Sequence, residues 1–597
     1  MKKLFYIFLT LIIFPSCSKY LDQVPDDRLT IDETFRTWAT AEEFFADVYR
    51  RVPDEFGQRN PGGDNCAGLW TGGSDEGEYL WSFVKSNDVN TGSWDASSSF
   101  VGDYWRNYYR GIRAASVFME NADKITDLSP DLIKRYKAEA RALRAMYYFY
   151  LIRIFGPVII LDEKAIPVDA SIQLPRNSFD ECVTYITTEL EKAAPDLSIK
   201  TNDLDYGHIT QGVALAFRAN ALMYAASPLY NGNTEQVDLV NKDGKQLISQ
   251  SFDVNKWKIA ADAYKAYLDK FVPGVYSLYR KNDADGNFSP YLSCRDVMLD
   301  DWNSEVIFGR PRNSVGARQY ELCPYHGGQS SGDVKGSGGL GATQNMVDAF
   351  FTANGRNIDD PLSGYVATGY SDFQAPNDTH IKSIYNQWVN REPRFYVNIT
   401  YDGSTWLNTS FGEIITRLYN TGNSGKKTGG GDYSPTGYIV RKAMGLGKWN
   451  IDARTLVLLR LAEVYLSYAE CVNEADPANA DALKYLNLIR ERAGVPLYGS
   501  AELPAPTGQS AMREAIRKER RVELAFENSR FFDVRRWKIA EQTENGAMRG
   551  LNIGADMPDF LNVVTFETRV FNKRHYFFPI PSDDVSNDKE IVQNPGW

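Results

Sequence analysis

Segments in which apolar residues recur every three or four positions constrain the fold of this chain most strongly. The segment 138–155, AEARALRAMYYFYLIRIF, repeats small and large apolar residues at Ala142, Ala145 and Phe149 and stops before Gly156-Pro157. This spacing and this terminator predict an amphipathic helix. Because alanine lets a second helix approach closely, paired helices resembling tetratricopeptide units are indicated, although no strict repeat period is present. Further helices are predicted around 40–51, 211–231, 254–270 and 459–494, the last with a turn at Asp476-Pro477.

Helical periodicity is lost between about Ser289 and Gly447, where glycine and aromatic residues dominate. There, Glu305–Arg312 (EVIFGRPR) predicts a strand, and the one helix predicted is near Gln344–Phe351. The stretch Asn60–Ser99 has a similar loop-like composition and carries several tryptophans. Long loops are either functional or disordered, and abundant aromatic residues argue against disorder. We therefore expect ordered, functional loops in both regions.

The N-terminal residues MKKLFYIFLTLIIFPSC are typical of an exported protein. Two lysines precede the apolar run Leu4–Phe14, which is shorter than the roughly 20 residues of a membrane-spanning helix. The pattern predicts a signal peptide over residues 1–16. Ser16-Cys17 resembles a lipobox, although Phe14 and Pro15 depart from the common residues, and it predicts lipidation at Cys17. A plain signal peptide with an incidental cysteine is the alternative.

Charge and aromatic content narrow the possible partners. The net charge of −11 and the pI near 5.2 argue against nucleic acid and anionic lipid surfaces as partners. The chain contains 35 Tyr, 31 Phe and 12 Trp, more than a core needs, and such rings in loops offer flat faces to ligands.

Short catalytic and metal motifs lack the structural context that they need. Gly328–Gly332 matches a nucleophile elbow and Gly336–Gly341 a dinucleotide fingerprint, but neither follows a predicted strand. Asn282–Asn287 resembles a calcium loop, yet Cys294 occupies the position of its bidentate glutamate. We therefore predict no catalytic residue, no metal site and no cofactor. A glycosidase remains an open alternative, because any two of the 77 acidic residues can converge in space. A disulfide bridge between Cys294 and Cys323 is also left open.

The most informative segment is Ile516–Trp537, IRKERRVELAFENSRFFDVRRW. Its seven basic residues alternate with Glu519, Glu523, Glu527 and Asp533 at helical spacing. Acids and bases placed in this way pair with each other, which predicts a salt-bridged helix and not a nucleic-acid surface. Buried arginine pairs of this kind would hold elements of the fold together.

This segment closely resembles a signature of the SusD/RagB family, surface lipoproteins that act in nutrient uptake by Bacteroidetes-type bacteria. The resemblance spans the chain from Cys17 onward, as one unit over residues 17–597. It implies a mainly α-helical fold in which tetratricopeptide-like helix pairs, at about 30–270 and 450–540, support an irregular, loop-rich ligand-binding region with minor β structure, at about 60–100 and 289–447. The other matching stretches, in family order, are Tyr20-Leu21-Asp22, Arg141–Ile160, Thr210–Tyr230, Leu459–Ala475 and Phe577–Trp597.

The resemblance also implies a role. The protein would be lipid-anchored in the outer membrane, face the cell exterior and cap a SusC-like TonB-dependent transporter. It would bind a glycan, either oligosaccharide or polysaccharide, and pass it inward without cleaving it, and so would not be an enzyme. Peptide cargo in the same complex is the alternative, and a surface glycosidase is a less favoured one.

Ligand contacts are expected in the two loop regions from which the binding residues of the family come. Sugars stack their C–H faces on aromatic rings, and their hydroxyls need polar partners. Packing in the core or within the loops is the alternative role for each tryptophan. The candidate ligand-binding residues are Asp75, Trp81 and Trp94 in the first region, and Arg310, Tyr320, Tyr325 and His326 in the second.

Overall fold

The computed structural model describes residues 29–167, 170, 172–201, 205–330, 332–450 and 453–597. The predicted signal peptide and Cys17 lie outside the described residues. Most of the regular structure is α-helical and the sheets are small, so the predicted mainly α fold with minor β structure is confirmed. None of the helices within the described ranges is both long and apolar enough to cross a bilayer.

Helices of four to 26 residues form most of the regular structure in the first half of the described chain. They are α1 (Ile31–Thr34), α2 (Trp38–Tyr49), α3 (Lys85–Thr91), α4 (Ser99–Asn121), α5 (Pro130–Phe155), α6 (Phe179–Ala193), α7 (Gln211–Ala226) and α8 (Asn255–Phe271). From α4 to α8, each helix contacts the next one. This succession of neighbouring helices forms the scaffold.

Helix α5 shows how the sequence specifies the scaffold. The Ser129 side chain accepts a hydrogen bond from the Leu132 N–H, and Pro130 occupies the first turn, where its missing N–H costs nothing. At the other end, Gly156 adopts a positive φ of 72°, which terminates the helix. The alanines at 142 and 145 are fully buried, so neighbouring helices approach closely.

In the described part of the second half, three long helices stand between two groups of short ones. The helices of this half are α9 (Pro290–Asp296), α10 (Gly316–Leu322), α11 (Gln344–Ala349), α12 (Pro393–Asn398), α13 (Lys426–Gly429), α14 (Leu461–Ala475), α15 (Asp481–Ala493), α16 (Gly508–Glu523), α17 (Arg530–Arg536), α18 (Ala540–Thr543) and α19 (Ser582–Asn587). Helix α14 packs on α8 and on α15 and α16, which extends the scaffold.

Two expectations about this half were wrong in detail. The middle region contains α9, α10, α12 and α13 in addition to the predicted α11, and these are too short to show a helical period. The segment 516–537 forms α16 and α17 and not one helix, because the chain turns between them with positive φ at Phe526 and Asn528.

Among the described residues, four small sheets are present, three of which have strands in the middle region. The strands are β1 (Gly77–Tyr79), β2 (Val306–Ser314), β3 (Leu340–Ala342), β4 (Tyr370–Phe373), β5 (Lys382–Tyr385), β6 (Ile399–Thr400), β7 (Ile439–Val440), β8 (Ala453–Arg460), β9 (Gly546–Leu551) and β10 (Val563–Arg569). One antiparallel sheet has the order β1-β3-β7-β6, and the pairs β2–β8, β4–β5 and β9–β10 form the others. The predicted strand at 305–312 is confirmed as β2.

Two large buried apolar clusters correspond to the helical scaffold and to the loop region. One lies among the scaffold helices, and the other lies among the small sheets and loops, where Trp388, Trp406 and Tyr438 are buried. The five cysteines at 66, 182, 294, 323 and 471 are buried and free, so the bridge left open between Cys294 and Cys323 is not formed.

A buried ion network joins the scaffold helix α16 to elements of the loop region. Arg460 in β8 lies 2.7 Å from carboxylate oxygens of Glu305, Glu523 and Glu527, while Arg394 in α12 lies 3.0 Å from Glu523. Within 516–537, Asp533 pairs with Arg520 at 2.6 Å and with Arg536 at 2.9 Å, which confirms the predicted pairing for this one acid. Glu519, Glu523 and Glu527 pair instead with Arg490, Arg492 and Arg460 outside the segment. Most of these pairs connect different elements, whereas the helical spacing had indicated pairs along one helix.

Candidate functional site

A stack of aromatic rings lies at the surface of the loop region. The half-buried rings of Trp81 and Tyr320 are 6.3 Å apart between centroids and inclined by 6°. Phe83, which is 57% exposed, stacks on Trp81 at 6.1 Å. Trp449 lies 5.1 Å from Tyr320. We call Trp81, Phe83, Tyr320, Tyr325 and Trp449 the aromatic platform.

Backbone contacts fix the position of Trp81. It follows β1, and the adjacent Leu80 N–H donates to the Gly339 carbonyl at 2.9 Å. The indole Nε1 of Trp81 donates to the Gly431 carbonyl at 3.2 Å, so the polar atom of the ring is engaged within the protein. A Cβ atom at Gly339 would lie 2.4 Å from a ring carbon of Trp81, so the close approach requires glycine.

The neighbouring rings are held in the same way. The Tyr320 hydroxyl donates to Asp432 Oδ2 at 2.7 Å, and burial followed by the charge of Asp432 raises the pKa of Tyr320. The Trp449 indole donates to the Lys335 carbonyl at 2.7 Å. Both rings therefore satisfy their polar atoms internally and offer apolar surface.

Arg59 supports the stack. Its guanidinium carbon lies 5.4 Å from the Trp81 ring centre and 5.7 Å from that of Tyr320, a cation–π arrangement with both rings. Its Nε lies 2.8 Å from Glu321, which is buried and accepts a hydrogen bond from the Tyr79 hydroxyl. The platform is thus tied to the β1 strand beneath it.

Tyr325 carries the platform toward a glycine-rich turn. The Lys335 ammonium lies 4.3 Å from the Tyr325 ring centre. Gly429 lies beside both Tyr325 and Tyr433, and the Lys426 ammonium lies 5.8 Å from the Tyr433 ring centre. Aromatic and cationic groups therefore alternate at this end.

A cleft of about 370 Å³ adjoins the platform. Leu80 and Tyr433, which line it, are chain neighbours of Trp81 and Asp432, and Pro435 and Phe566 complete its apolar wall. A separate cavity of about 620 Å³ lies between α4 and α19, and none of the predicted site residues lines it.

Two predicted site residues, Trp81 and Tyr320, stack on each other. Tyr325 is connected to them through Lys335, whose ammonium lies over the Tyr325 ring and whose carbonyl accepts from the Trp449 indole. Asp75 does not belong to the platform, because it is 2% exposed and pairs with Arg521 at 2.7 Å and Arg530 at 2.8 Å. Burial opposes ionisation of Asp75, but the two arginines outweigh it and lower its pKa to about 2.

Trp94 and His326 are enclosed as well. Trp94 is buried against Phe578 and Trp597, with ring centroids 4.6 and 4.5 Å apart. The His326 ring nitrogens lie 2.7 Å from the Val334 carbonyl and 2.9 Å from the Thr416 hydroxyl, and burial lowers its pKa to about 4. Together with Asp75, they lie beneath any surface that a ligand can reach in this structure.

Arg310 supports the scaffold. It is half-buried in β2, where its Nε donates to Asn313 Oδ1 at 3.1 Å and its Nη1 donates to the Val52 carbonyl. The structure instead adds Arg59, Phe83, Asp432 and Trp449 to the site. Phe83 and Trp449 carried an aromatic signal in or next to the two loop regions, whereas the sequence around Arg59 carried none.

Two family models match most of the chain. The model described as the SusD family matches residues 304–597, and the model described as starch-binding and associating with the outer membrane matches residues 19–222. Both agree with the resemblance found in the sequence.

Known proteins resemble the chain over nearly its whole length. A SusD-like protein of Bacteroides ovatus is 25% identical over 90% of this chain and 82% of its own length. The starch-binding protein SusD of Bacteroides thetaiotaomicron is 22% identical over 87% of this chain and 83% of its own length. The crystal structure of a SusD-like protein of Bacteroides fragilis shares the fold, with a TM-score of 0.72, 24% identity, and coverage of 96% of this chain and 99% of that one. The chain belongs to the SusD family.

Proposed function

We propose that this protein is a cell-surface lipoprotein that binds oligosaccharide or polysaccharide and delivers it to a SusC-like TonB-dependent transporter in the outer membrane. The observation that carries the proposal is the surface stack of Trp81 and Tyr320 in a member of the SusD family. Starch binding by one relative and the outer-membrane association in the description of one family model support it.

The platform suits the chemistry of a pyranose chain. The C–H faces of sugar rings pack on aromatic faces, and the parallel rings of Trp81 and Tyr320, with the exposed Phe83 stacked on Trp81, provide such apolar surface. Sugar hydroxyls need donors and acceptors at its edge, which Asp432, Arg59 and the Gly431 carbonyl provide. The adjoining cleft extends the surface along a longer ligand.

Binding without cleavage agrees with the carboxylates beside the platform. A glycosidase needs two carboxyl groups that flank the scissile bond. Asp432 accepts the Tyr320 hydroxyl, and Glu321 is buried between Arg59 and Tyr79. Neither faces a stacked ligand as a free acid or base, and we therefore propose a binder and not an enzyme.

Delivery requires that the protein stays at the membrane. We propose that Cys17 becomes the first mature residue, that it carries the acyl chains, and that the platform faces the exterior above the transporter. The support is the N-terminal sequence and family membership.

Calorimetric titration of the chain from Ser18 onward against panels of oligosaccharides and peptides tests the proposal. We expect a glycan to bind, and Trp81→Ala to weaken its binding about tenfold or more, because the stacked face is lost. Trp302→Ala is a matched control, because Trp302 lies outside the platform and stacks on Tyr206. The two ring centroids are 4.9 Å apart, and the ring planes are inclined by 6°. This variant should leave the affinity unchanged.

Three outcomes would contradict the proposal. Binding of peptides alone would change the cargo, and release of shortened products would make the protein a glycosidase. Full affinity in the Trp81→Ala variant would remove the ligand from the platform.

A further inference from the structure

Lysines surround the aromatic platform at its glycine-rich end. Lys335 lies over the Tyr325 ring, Lys426 lies near the Tyr433 ring, and Lys427 follows Lys426 at the exposed start of α13. The turn that carries Lys426 and Lys427 continues to Gly431, whose carbonyl holds the Trp81 indole. We call Lys335, Lys426 and Lys427 the lysine rim.

The rim lysines lack carboxylate partners among the described residues, unlike several lysines elsewhere in the protein. Among the described residues, no carboxylate oxygen lies within 4.0 Å of the three rim ammonium groups. Elsewhere, Lys281, Lys382 and Lys442 each pair with a carboxylate at 2.6–2.7 Å. The positive charge of the rim is therefore available to a ligand.

The local charge opposes that of the whole chain. Around the platform, Arg59, Lys448 and the rim provide five cationic side chains, against the three carboxylates of Asp333, Asp432 and Glu321. Glu78 and Glu567 line the adjoining cleft, and both pair with Arg569. The chain as a whole carries −11. A positive patch on an acidic protein attracts anions and orients their approach.

We propose that the platform binds an anionic glycan, one that carries carboxylate or sulfate groups, and that the lysine rim binds those groups. This inference rests on the proposed function. The stack positions the sugar rings, and the ammonium groups beside Tyr325 and Tyr433 meet the charged substituents. Lysine suits this task because its compact, rotatable ammonium accepts either kind of anion in several directions.

An acidic peptide is the less favoured ligand. Its carboxylates would pair with the rim lysines, but it lacks the sugar C–H faces that pack on the rings of Trp81 and Tyr320.

Calorimetry with paired ligands tests the inference. The probes are oligogalacturonate with its carboxyl-reduced neutral counterpart, and a sulfated galactan oligosaccharide with its desulfated counterpart. In 50 mM NaCl, we expect one acidic probe to bind about tenfold or more tightly than its neutral counterpart, and the ratio to fall at 500 mM NaCl as salt screens the charges. Which pair shows the difference identifies the anion.

Matched variants separate the rim from net charge. Lys335→Gln with Lys426→Gln should reduce the affinity for the acidic probe to that of the neutral one; the backbone carbonyl at 335 that holds Trp449 is retained. Lys270→Gln with Lys518→Gln changes the net charge equally at exposed, unpaired lysines on α8 and α16 and should have no effect. Thermal unfolding midpoints of both double variants should equal that of the wild type.

Failure of the anionic assignment can be distinguished from failure of the proposed glycan binding. Equal affinity for acidic and neutral probes, with both dependent on Trp81, would overturn the anionic assignment and leave glycan binding in place. Binding of polyglutamate as tightly as the acidic oligosaccharides would also overturn it. Absence of binding to every glycan would overturn both proposals.

Discussion

At the scale of single residues, Gly339 determines where the Trp81 ring lies. The space that a side chain would need at this position is filled by that ring, with 2.4 Å between the ring and an ideal Cβ. The ring is held from the other direction by the Gly431 carbonyl. The geometry of the platform therefore depends on a residue that has no side chain to offer a ligand.

We expect Gly339→Ala to weaken glycan binding about tenfold, because the methyl group displaces the Trp81 ring from its stack with Tyr320. Stability should fall by no more than about 1–3 kcal/mol, the usual cost of overpacking, since the half-exposed ring can move. Titration calorimetry and thermal unfolding measure the two effects. Gly447→Ala, where a Cβ meets open space, is the control. Unchanged affinity in Gly339→Ala would show that the stack tolerates displacement.

Residue type alone did not separate side chains at the surface from buried ones. Trp81 and Trp94 occur in the same loop-like stretch, yet one lies at the surface and the other packs against Phe578. The difference arises from contacts with residues hundreds of positions away, which local sequence does not encode. Asp75 was misleading for the same reason, because its arginine partners belong to α16 and α17.

At the scale of elements, a buried ion pair fastens α17 to α14. Arg536 donates to both carboxylate oxygens of Glu470, at 2.6 and 2.7 Å, and the Trp537 indole donates to the same carboxylate. Burial alone would raise the pKa of Glu470, but the charge and hydrogen bonds of Arg536 outweigh it and lower the pKa to about 2. The pair therefore stabilises the fold only while Glu470 is ionised.

We expect Glu470→Gln to lower the free energy of unfolding by about 3 kcal/mol at pH 7, because it removes one of two carboxylates that pair with the buried Arg536 and leaves it Asp533, which Arg520 shares. The pKa of Glu470 in the folded protein lies below its ordinary value of 4.5. The stabilisation from ionised Glu470 is therefore complete above pH 4.5 and is lost as the pH falls toward 2. The difference between variant and wild type should shrink over that range in denaturant unfolding. Asp262→Asn, which removes an exposed pair with Lys258, should cost about 1 kcal/mol or less throughout. A difference independent of pH would exclude the ion pair as the cause.

Periodicity predicted long helices well and short ones poorly. The predicted segments 254–270 and 459–494 correspond to α8 and to the pair α14 and α15, because their apolar faces span several turns. Helices of four to seven residues, such as α10 and α13, cover two turns or fewer and leave no pattern. These short helices carry Tyr320 and Lys426, so the middle region could be located from sequence, but its site could not be assembled.

At the scale of the whole molecule, a helical scaffold supports loops drawn from distant parts of the chain. The platform combines residues near 59–83, 320–335 and 449, and the buried network of Arg460 and Glu523 joins their supporting elements to the scaffold. The division of the chain into a signal peptide and one mature unit stays a prediction.

We expect Cys17→Ala to release the protein from the membrane fraction of a Bacteroidetes-type host, because the proposed attachment point of the acyl chains is lost. Labelling with an alkyne fatty acid and mass spectrometry of the mature N-terminus measure lipidation directly. Ser18→Ala, one position later, should keep both the lipid and the membrane association. A wild-type protein that is water-soluble and carries no lipid would contradict the anchor.

Three of the platform rings have their polar atoms bound within the protein before any ligand arrives. Trp81 donates to Gly431, Trp449 donates to Lys335, and Tyr320 donates to Asp432. Little side-chain freedom is left for the protein to lose on binding, so most of the ordering falls on the ligand. A glycan that is already stiff and extended in solution loses less entropy on such a surface than a coiled one. Under the proposed function, the platform would therefore discriminate among polysaccharides by their flexibility as well as by their chemical groups.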